Sequence, residues 1–472
     1  IIIIIIMENE SLFLNSLLTL KNPFNSFDDI VKWLSKRNQV TKVSVKKTKF
    51  SLLENWLFDE KTLNLRHKTG KFFSVDGLRV KKDTDFITQW CQPIINQAEV
   101  GYLGIITKEF NGVLYFLMQA KIEPGNVNCV QLSPTLQATK SNYTQTHAGK
   151  APKYLEYFKN VTQDQILVDQ LQSEQGARFL RKRNRNIIIK IDEEIDVYED
   201  FRWLTLGQIK KLILQDNLVN MDSRTVISAI TFNDQKLIRE HNSSLYSTFG
   251  HELLLSSMIN SGKNSMSNLM SWLCSLKSMC NLVVDQIPLN QVNDWIVTDN
   301  EICHKDNKYF KIIGVNVHIE NREVKDWCQP IVKPMEHGIC AFLIKKIYGT
   351  YHFLVQAKFE CGNFDMYEFA PTVQCLQSEL SNTSGNKHYF INDVKNAKKE
   401  NIIIDTYQSE EGGRFYKEQN RNMLIKVDEN FSEELPRNYA WMTLGQLNSF
   451  LKYNNFVNIQ ARSILSALQY IA

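Results

Sequence analysis

Phe116-Leu117-Met118-Gln119-Ala120-Lys121, with Glu123, Gly125 and Asn126 close behind, is written a second time in the same chain. It returns as Phe353-Leu354-Val355-Gln356-Ala357-Lys358 with Glu360, Gly362 and Asn363. The match extends outward at one constant offset. Trp90-Cys91-Gln92-Pro93-Ile94 returns as Trp327-Cys328-Gln329-Pro330-Ile331, and Pro134-Thr135 with Gln137 as Pro371-Thr372 with Gln374. Further on the offset drifts by a single residue either way. Gln172-Ser173-Glu174 with Gly176, Arg178 and Phe179 matches Gln408-Ser409-Glu410 with Gly412, Arg414 and Phe415; Trp203-Leu204-Thr205-Leu206-Gly207-Gln208 matches Trp441-Met442-Thr443-Leu444-Gly445-Gln446. A solenoid unit recurs every ~20–50 residues. This repeat is far longer, so it reads as two whole domains, duplicated and fused. The first is expected over 25–233 and the second over 265–472. Between them 243–265 is rich in Ser and Asn and reads as a linker, with room for one helical turn at His251-Glu252-Leu253-Leu254-Leu255.

The same element order is predicted in each half. Residues 28–37 and 267–280 carry helix-like spacing. The β-rich runs 100–108 and 113–122 are split by Asn111-Gly112, a strong hairpin signal; 339–347 and 350–359 repeat it around Tyr348-Gly349. Residues 187–191 and 423–427 read as buried strands, and 203–217 and 223–230 as helices. Each half is therefore expected to be a mixed, mostly antiparallel sheet with flanking helices, an α+β architecture.

Composition sets bounds on function. The chain has 472 residues, 43% hydrophobic and 22% charged, with 19 Gly and 10 Pro. That fills sizeable cores and excludes collagen-like or largely disordered classes. With 55 basic against 51 acidic side chains the net charge is only +4, so charge does not point to nucleic acid. No run reaches the roughly 18–20 apolar residues of a membrane span. The six leading isoleucines precede Met7, which reads as the natural start. Nine cysteines without a C-x-x-C pair, Cys274 and Cys280 being the closest, suit free thiols in a reducing cytoplasm rather than a structural zinc site.

Both halves carry one polar set: Gln119, Lys121, Glu123, Ser173, Glu174, Arg178 and Arg185, repeated as Gln356, Lys358, Glu360, Ser409, Glu410, Arg414 and Arg421. Gln119, Lys121 and Glu123 alternate, so one strand face presents all three, either to water or to a ligand. Arg178, Arg181, Lys182 and Arg185 share a face if 174–186 is helical. Arginine suits bidentate capture of phosphate, while a solvated or dimer-contacting face is the plainer reading. Trp90 and Trp327 are either base-stacking platforms or core. Ser141-Asn142-Tyr143, with His147 and Lys150, sits where the second half has Ser378-Glu379-Leu380 and loses the Tyr and the His, and Lys182 and Arg183 become Glu418 and Gln419 in the second. The first half is thus the expected reactive one.

At these residues the chain resembles the NDP-hexose 2,3-dehydratases of deoxysugar biosynthesis. The strings that carry it are FLMQAKIEPGNVNCVQLSPTLQATKSNYTQTH (116–147), QLQSEQGARFLRKRNRN (170–186), WLTLGQ (203–208) and NLVNMDSRT (217–225). VQAKFECGN (355–363), APTVQC (370–375), SEEGGRFY (409–416) and NIQARS (458–463) look like that family's second repeat. The resemblance implies a Nudix-like α+β module duplicated within each subunit, homodimers, and two nucleotide pockets per subunit. The implied substrate is dTDP-4-keto-6-deoxy-D-glucose, losing water across carbons 2 and 3 to give a 3,4-diketo-2,6-dideoxy sugar. Gln172-Ser173-Glu174-Gln175-Gly176 and Ser409-Glu410-Glu411-Gly412 are similar to the end of a Nudix box. The Gly and Glu that should precede Ser173, and the metal-binding carboxylates, are missing, which argues against Mg²⁺-dependent hydrolysis. Leu380 stands where the family pattern leads one to expect a tyrosine.

The implied reaction needs a base at carbon 3 and an acid for the carbon-2 hydroxyl, each worth roughly 10²–10⁴ in rate, and a donor on the developing enolate. The sugar's own ketone is the electron sink, so no redox cofactor is expected; no residues are picked out as metal ligands, and whether a metal assists is left open. Glu123 or His147 is expected as base, and Lys121 or Tyr143 at the enolate oxygen or departing hydroxyl. Arg178 and Arg185 would hold the diphosphate, with Trp90 or Tyr143 against thymine. The product should shed dTDP unless a downstream 3-ketoreductase traps it. The alternatives are a non-catalytic nucleotide-sugar binder or scaffold, and a Nudix-type diphosphate hydrolase.

Overall fold

The computed structural model describes residues 2–83, 87–143, 151–232, 247–320, 324–380 and 389–470. Asn111 and Gly112 both take positive φ, 51° and 78°, the two-residue turn whose twist matches a hairpin. The strands Val100–Phe110 and Val113–Ile122 pair antiparallel through it. Tyr348 and Gly349 make the same turn in the second half. Around the first hairpin a seven-stranded sheet assembles in the order Ile166–Ser173, Arg183–Ile191, Val100–Phe110, Val113–Ile122, Phe201–Thr205. Val130–Ser133 and Leu136–Ala138 are added beside the hairpin strands. Only the pairing of Arg183–Ile191 with Val100–Phe110 is parallel. A second seven-stranded sheet repeats the order with Ile402–Ser409, Gln419–Lys426, Gly338–Ile347 and Thr350–Phe359. The architecture is therefore mixed α+β, and the hairpins and buried strands stand where the sequence places them.

Two elements differ from expectation. Residues 203–217 are not one helix. Phe201–Thr205 is a strand paired with Val113–Ile122, and the helix is Leu206–Ile213. The Thr205 hydroxyl accepts from the Gln208 backbone N–H while the Gln208 side chain returns to Thr205, a reciprocal cap that starts a helix at that point. Nor is 174–186 a helix. Phe179–Leu180 and Arg183–Ile191 are strands, with Arg181 between them at φ 49°. Sheet pairing on both sides of Arg183–Ile191 overrides the helical spacing of the basic residues. In the stretch read as linker, Thr248–Ser257 forms a ten-residue helix with Leu253 and Leu254 fully buried.

The halves are interlocked. Val43–Thr48, from the first repeat, pairs along Phe310–Ile319 of the second; Asn281–Ile287, from the second, pairs along Ser74–Asp83 of the first. Each repeat thus completes the other's smaller sheet. Gly125 N–H donates to Gly412 O at 2.7 Å, and Gly362 N–H to Gly176 O at 2.7 Å. Arg224 and Arg462 are fully buried across the same approximate two-fold. Arg224 Nε donates to Ser463 Oγ and Arg462 Nε to Thr225 Oγ1, both at 2.8 Å. Burying two guanidinium groups is tolerable because backbone carbonyls and side-chain oxygens accept hydrogen bonds from their N–H groups. Among the described residues no helix is long and apolar enough to cross a membrane.

Candidate active site

A cavity of about 830 Å³ opens beside the first repeat's hairpin. Gln119, Lys121 and Glu123 all line it, so the alternating polar face looks into a cavity rather than onto an open outer surface. Gln119 donates to Asp200 Oδ2 at 2.9 Å. Lys121 Nζ lies 3.9 Å from Glu123 Oε1 and 3.5 Å from Gln137 O. Gln137 donates to Glu123 Oε1 at 2.7 Å and accepts from Asn220 at 3.2 Å. That chain fixes one carboxylate oxygen of Glu123. The other, Oε2, is buried with no hydrogen-bond partner among the described residues.

Much of the wall comes from the other repeat. Trp327, Cys328 and Gln329, from the strand Asp326–Pro334 of the five-stranded sheet that Val43–Thr48 joins, line this cavity, and so do Glu411, Gly413 and Arg414, from the loop between Ile402–Ser409 and Gln419–Lys426. The Arg414 guanidinium lies 4.3 Å from the Phe73 ring centroid and donates to Gln97 Oε1 at 3.2 Å. Arg178 is its counterpart and crosses the other way, onto the Phe310 ring at 4.2 Å. The interlock exchanges the two arginines between sites.

The other predicted residues divide as follows. Glu174 lines the cavity and accepts from Asn184. Ser173 points into the seam, donating to Glu368 Oε2 at 2.7 Å. Arg185 and Arg421 are paired outside it with Asp169 and Asp405, both at 2.6 Å. Tyr143 packs edge-on against Tyr102 and donates to Val100 O at 3.3 Å, outside the cavity lining. His147 lies outside the described residues. Trp90 stands edge-on to Phe359, 6.1 Å between centroids, within an apolar cluster with Leu78, Val80, Ile94 and Cys361. Gln356 and Lys358 occupy the matching strand of the second repeat, with Lys358 Nζ 3.4 Å from Gln374 O.

Among the cavity residues that the sequence reading does not single out as site residues are Asp222, Glu411 and Lys182. Burial, and then the neighbouring carboxylates Glu123, Glu174 and Glu411, holds the Asp222 carboxyl well above the ordinary carboxylate range. Burial followed by Glu123 pushes Glu411 up to about 7. Burial raises Glu174 as well, against the pull of Lys182 and Arg462, and lowers the Lys182 ammonium. The wall therefore holds carboxyls that keep their protons near neutral pH beside a lysine and an arginine. Such a wall can take up and deliver protons on adjacent atoms of one ligand.

The NDP-hexose 2,3-dehydratase family model matches the chain twice, over residues 27–230 and 266–468. The chain belongs to that family. A relative from Saccharopolyspora spinosa, named dTDP-4-dehydro-6-deoxy-alpha-D-glucopyranose 2,3-dehydratase, is 45% identical over 462 residues, covering 98% of this chain and 95% of its own. Relatives of the same name from Amycolatopsis orientalis and Streptomyces violaceoruber are 39% and 38% identical. They cover 94% and 93% of this chain, and 90% and 96% of their own lengths. The two matched segments bracket the helix Thr248–Ser257, so this 2,3-dehydratase family member repeats its family module on either side of it.

Proposed function

We propose that the chain removes water across carbons 2 and 3 of dTDP-4-keto-6-deoxy-D-glucose in the cavity beside the first hairpin. The observation that carries this is the Lys121–Glu123 pair, where a carboxylate with one oxygen unpartnered among the described residues stands next to an ammonium in a cavity walled by further carboxyls. Glu123 takes the proton from carbon 3, which the carbon-4 ketone acidifies. Lys121 faces the oxygen that gathers the enolate charge. Arg414, presented on Phe73, holds the diphosphate. The hydroxyl leaves from carbon 2, and the enol relaxes to the 3,4-diketone.

The Nudix-like character of the repeats, their boundaries at 25–233 and 265–472, homodimerisation, a cytoplasmic location and hand-off to a 3-ketoreductase are part of this proposal. The resemblance supports them. Incubation with dTDP-4-keto-6-deoxy-D-glucose should give a sugar lighter by one water, with free dTDP accumulating. Unchanged ketosugar in the presence of folded, dTDP-binding protein would favour a non-catalytic binder.

A further inference from the structure

The duplicated chain is its own control for what the first cavity needs. Gln119, Lys121, Glu123, Gln137, Glu174, Asn184 and Arg414 all have identical counterparts in Gln356, Lys358, Glu360, Gln374, Glu410, Asn420 and Arg178. Two carboxylates do not. Asp222 corresponds to Gln460, and Glu411 to Gln175. The base position differs too. In the second repeat both Glu360 oxygens are occupied, one by Gly176 N–H at 2.9 Å and the other by Gln374 at 3.1 Å, whereas Glu123 keeps Oε2 unshared.

Asp222 sits at the second position of the helix Met221–Ser228, whose start is fixed by the Asn220 side chain accepting from Ser223 N–H at 2.8 Å. Its side chain is 2% exposed, lines the cavity, and leaves Oδ1 buried without a partner among the described residues. An unpaired buried carboxylate costs several kcal/mol, so the group stays protonated or finds a ligand. The surrounding Glu123, Glu174 and Glu411 favour the protonated form.

Resting on the dehydratase reading above, we propose that Asp222 is the general acid that protonates the departing carbon-2 hydroxyl, opposite Glu123 as base. Glu123 takes the carbon-3 proton. Electrons of that C–H bond pass first onto the carbon-4 oxygen as an enolate beside Lys121; they then return to form the carbon 2–carbon 3 double bond as the carbon 2–oxygen bond breaks, and the Asp222 proton leaves with the oxygen as water. Carbon 2 of the enol then receives the proton held on Glu123, and the enol hydroxyl returns one to Asp222. Substrate becomes product plus water, and both carboxyls are restored. Burial, and after it the neighbouring Glu123, Glu174 and Glu411, favour the protonated Asp222 that the step needs.

The test runs the wild type, Asp222→Asn and Glu123→Gln in D₂O with dTDP-4-keto-6-deoxy-D-glucose. It follows the carbon-3 proton by NMR and dTDP release by chromatography. Wild-type turnover checks the dehydratase reading separately; without it that reading fails before Asp222 is tested. Asp222→Asn should lower dTDP release at least ~100-fold yet still exchange carbon-3 hydrogen for deuterium, because the base is intact. Glu123→Gln should lose both. If Asp222→Asn does not fold, Asp222→Gln is used, copying the side chain the fold already carries at Gln460. Elimination within about tenfold of wild type, or loss of exchange together with elimination in a variant that still binds dTDP, would overturn the assignment.

Discussion

Gly125→Ala tests whether the two repeats are locked through the loops that carry their acids. A Cβ at Gly125 would lie 2.7 Å from both Gly412 O and the Phe415 carbonyl carbon, and closer still to the Phe415 oxygen. Carbon–oxygen contacts settle at about 3.3 Å. The colliding atoms are backbone, so no rotamer change can relieve them. Relief requires the loop around Gly125 and the loop around Gly412 to part. That breaks Gly125 N–H to Gly412 O and Lys417 N–H to Gly125 O, both 2.7 Å. Each bond is worth ~1 kcal/mol net, and a buried group left unpaired costs ~1–3 kcal/mol more. A loss of roughly 3–5 kcal/mol follows, at the severe end of single substitutions. Because Glu123 and Glu411 flank the parted loops, dTDP binding should weaken in whatever folded protein survives. Gly112→Ala is the control: its φ is +78° but nothing lies within 4 Å, so only the left-handed penalty of about 1–2 kcal/mol applies. Urea unfolding measures both. A Gly125→Ala protein within about 1 kcal/mol of wild type would refute the reasoning.

Arg414→Ala should weaken dTDP binding by about tenfold or more, the worth of one charge-assisted contact. Arg178→Ala, its counterpart in the same stacked geometry, should leave affinity within about threefold; isothermal titration of both separates them. Stability should fall as pH rises through the range set by Glu368, which is 1% exposed and raised by burial from 4.5 to about 8. Below about pH 4.5 folded and unfolded forms are both protonated. Between there and about 8 only the unfolded form ionises, so it is favoured; above 8 the penalty is complete. Glu368→Gln should therefore raise the melting temperature more at pH 8 than at pH 5, and equal shifts would contradict this.

The hairpins were legible because Asn-Gly and Tyr-Gly turns demand positive φ at both positions, a local requirement with few other solutions. The Gln119–Lys121–Glu123 face was legible because strand alternation is also local. The structure lays Arg178 on Phe310 rather than along the first cavity, which its sequence does not show. Strand exchange is a long-range choice, and Arg178 and Arg414 stand in equivalent strings, so nothing near either one says which cavity it enters. Asp222 had a signal that went unused: NLVNMDSRT against NIQARS puts Asp against Gln in the middle of an otherwise similar helix start. The basic run 178–185 misled because helical spacing says nothing about the two strands waiting to pair with it.

The most direct test compares Glu123→Gln with Glu360→Gln for turnover of dTDP-4-keto-6-deoxy-D-glucose, with thermal melts to confirm folding. Glu123→Gln should lose at least ~100-fold in rate while Glu360→Gln stays near wild type. Loss of turnover in Glu360→Gln with Glu123→Gln still active would place the chemistry in the second repeat and contradict the account.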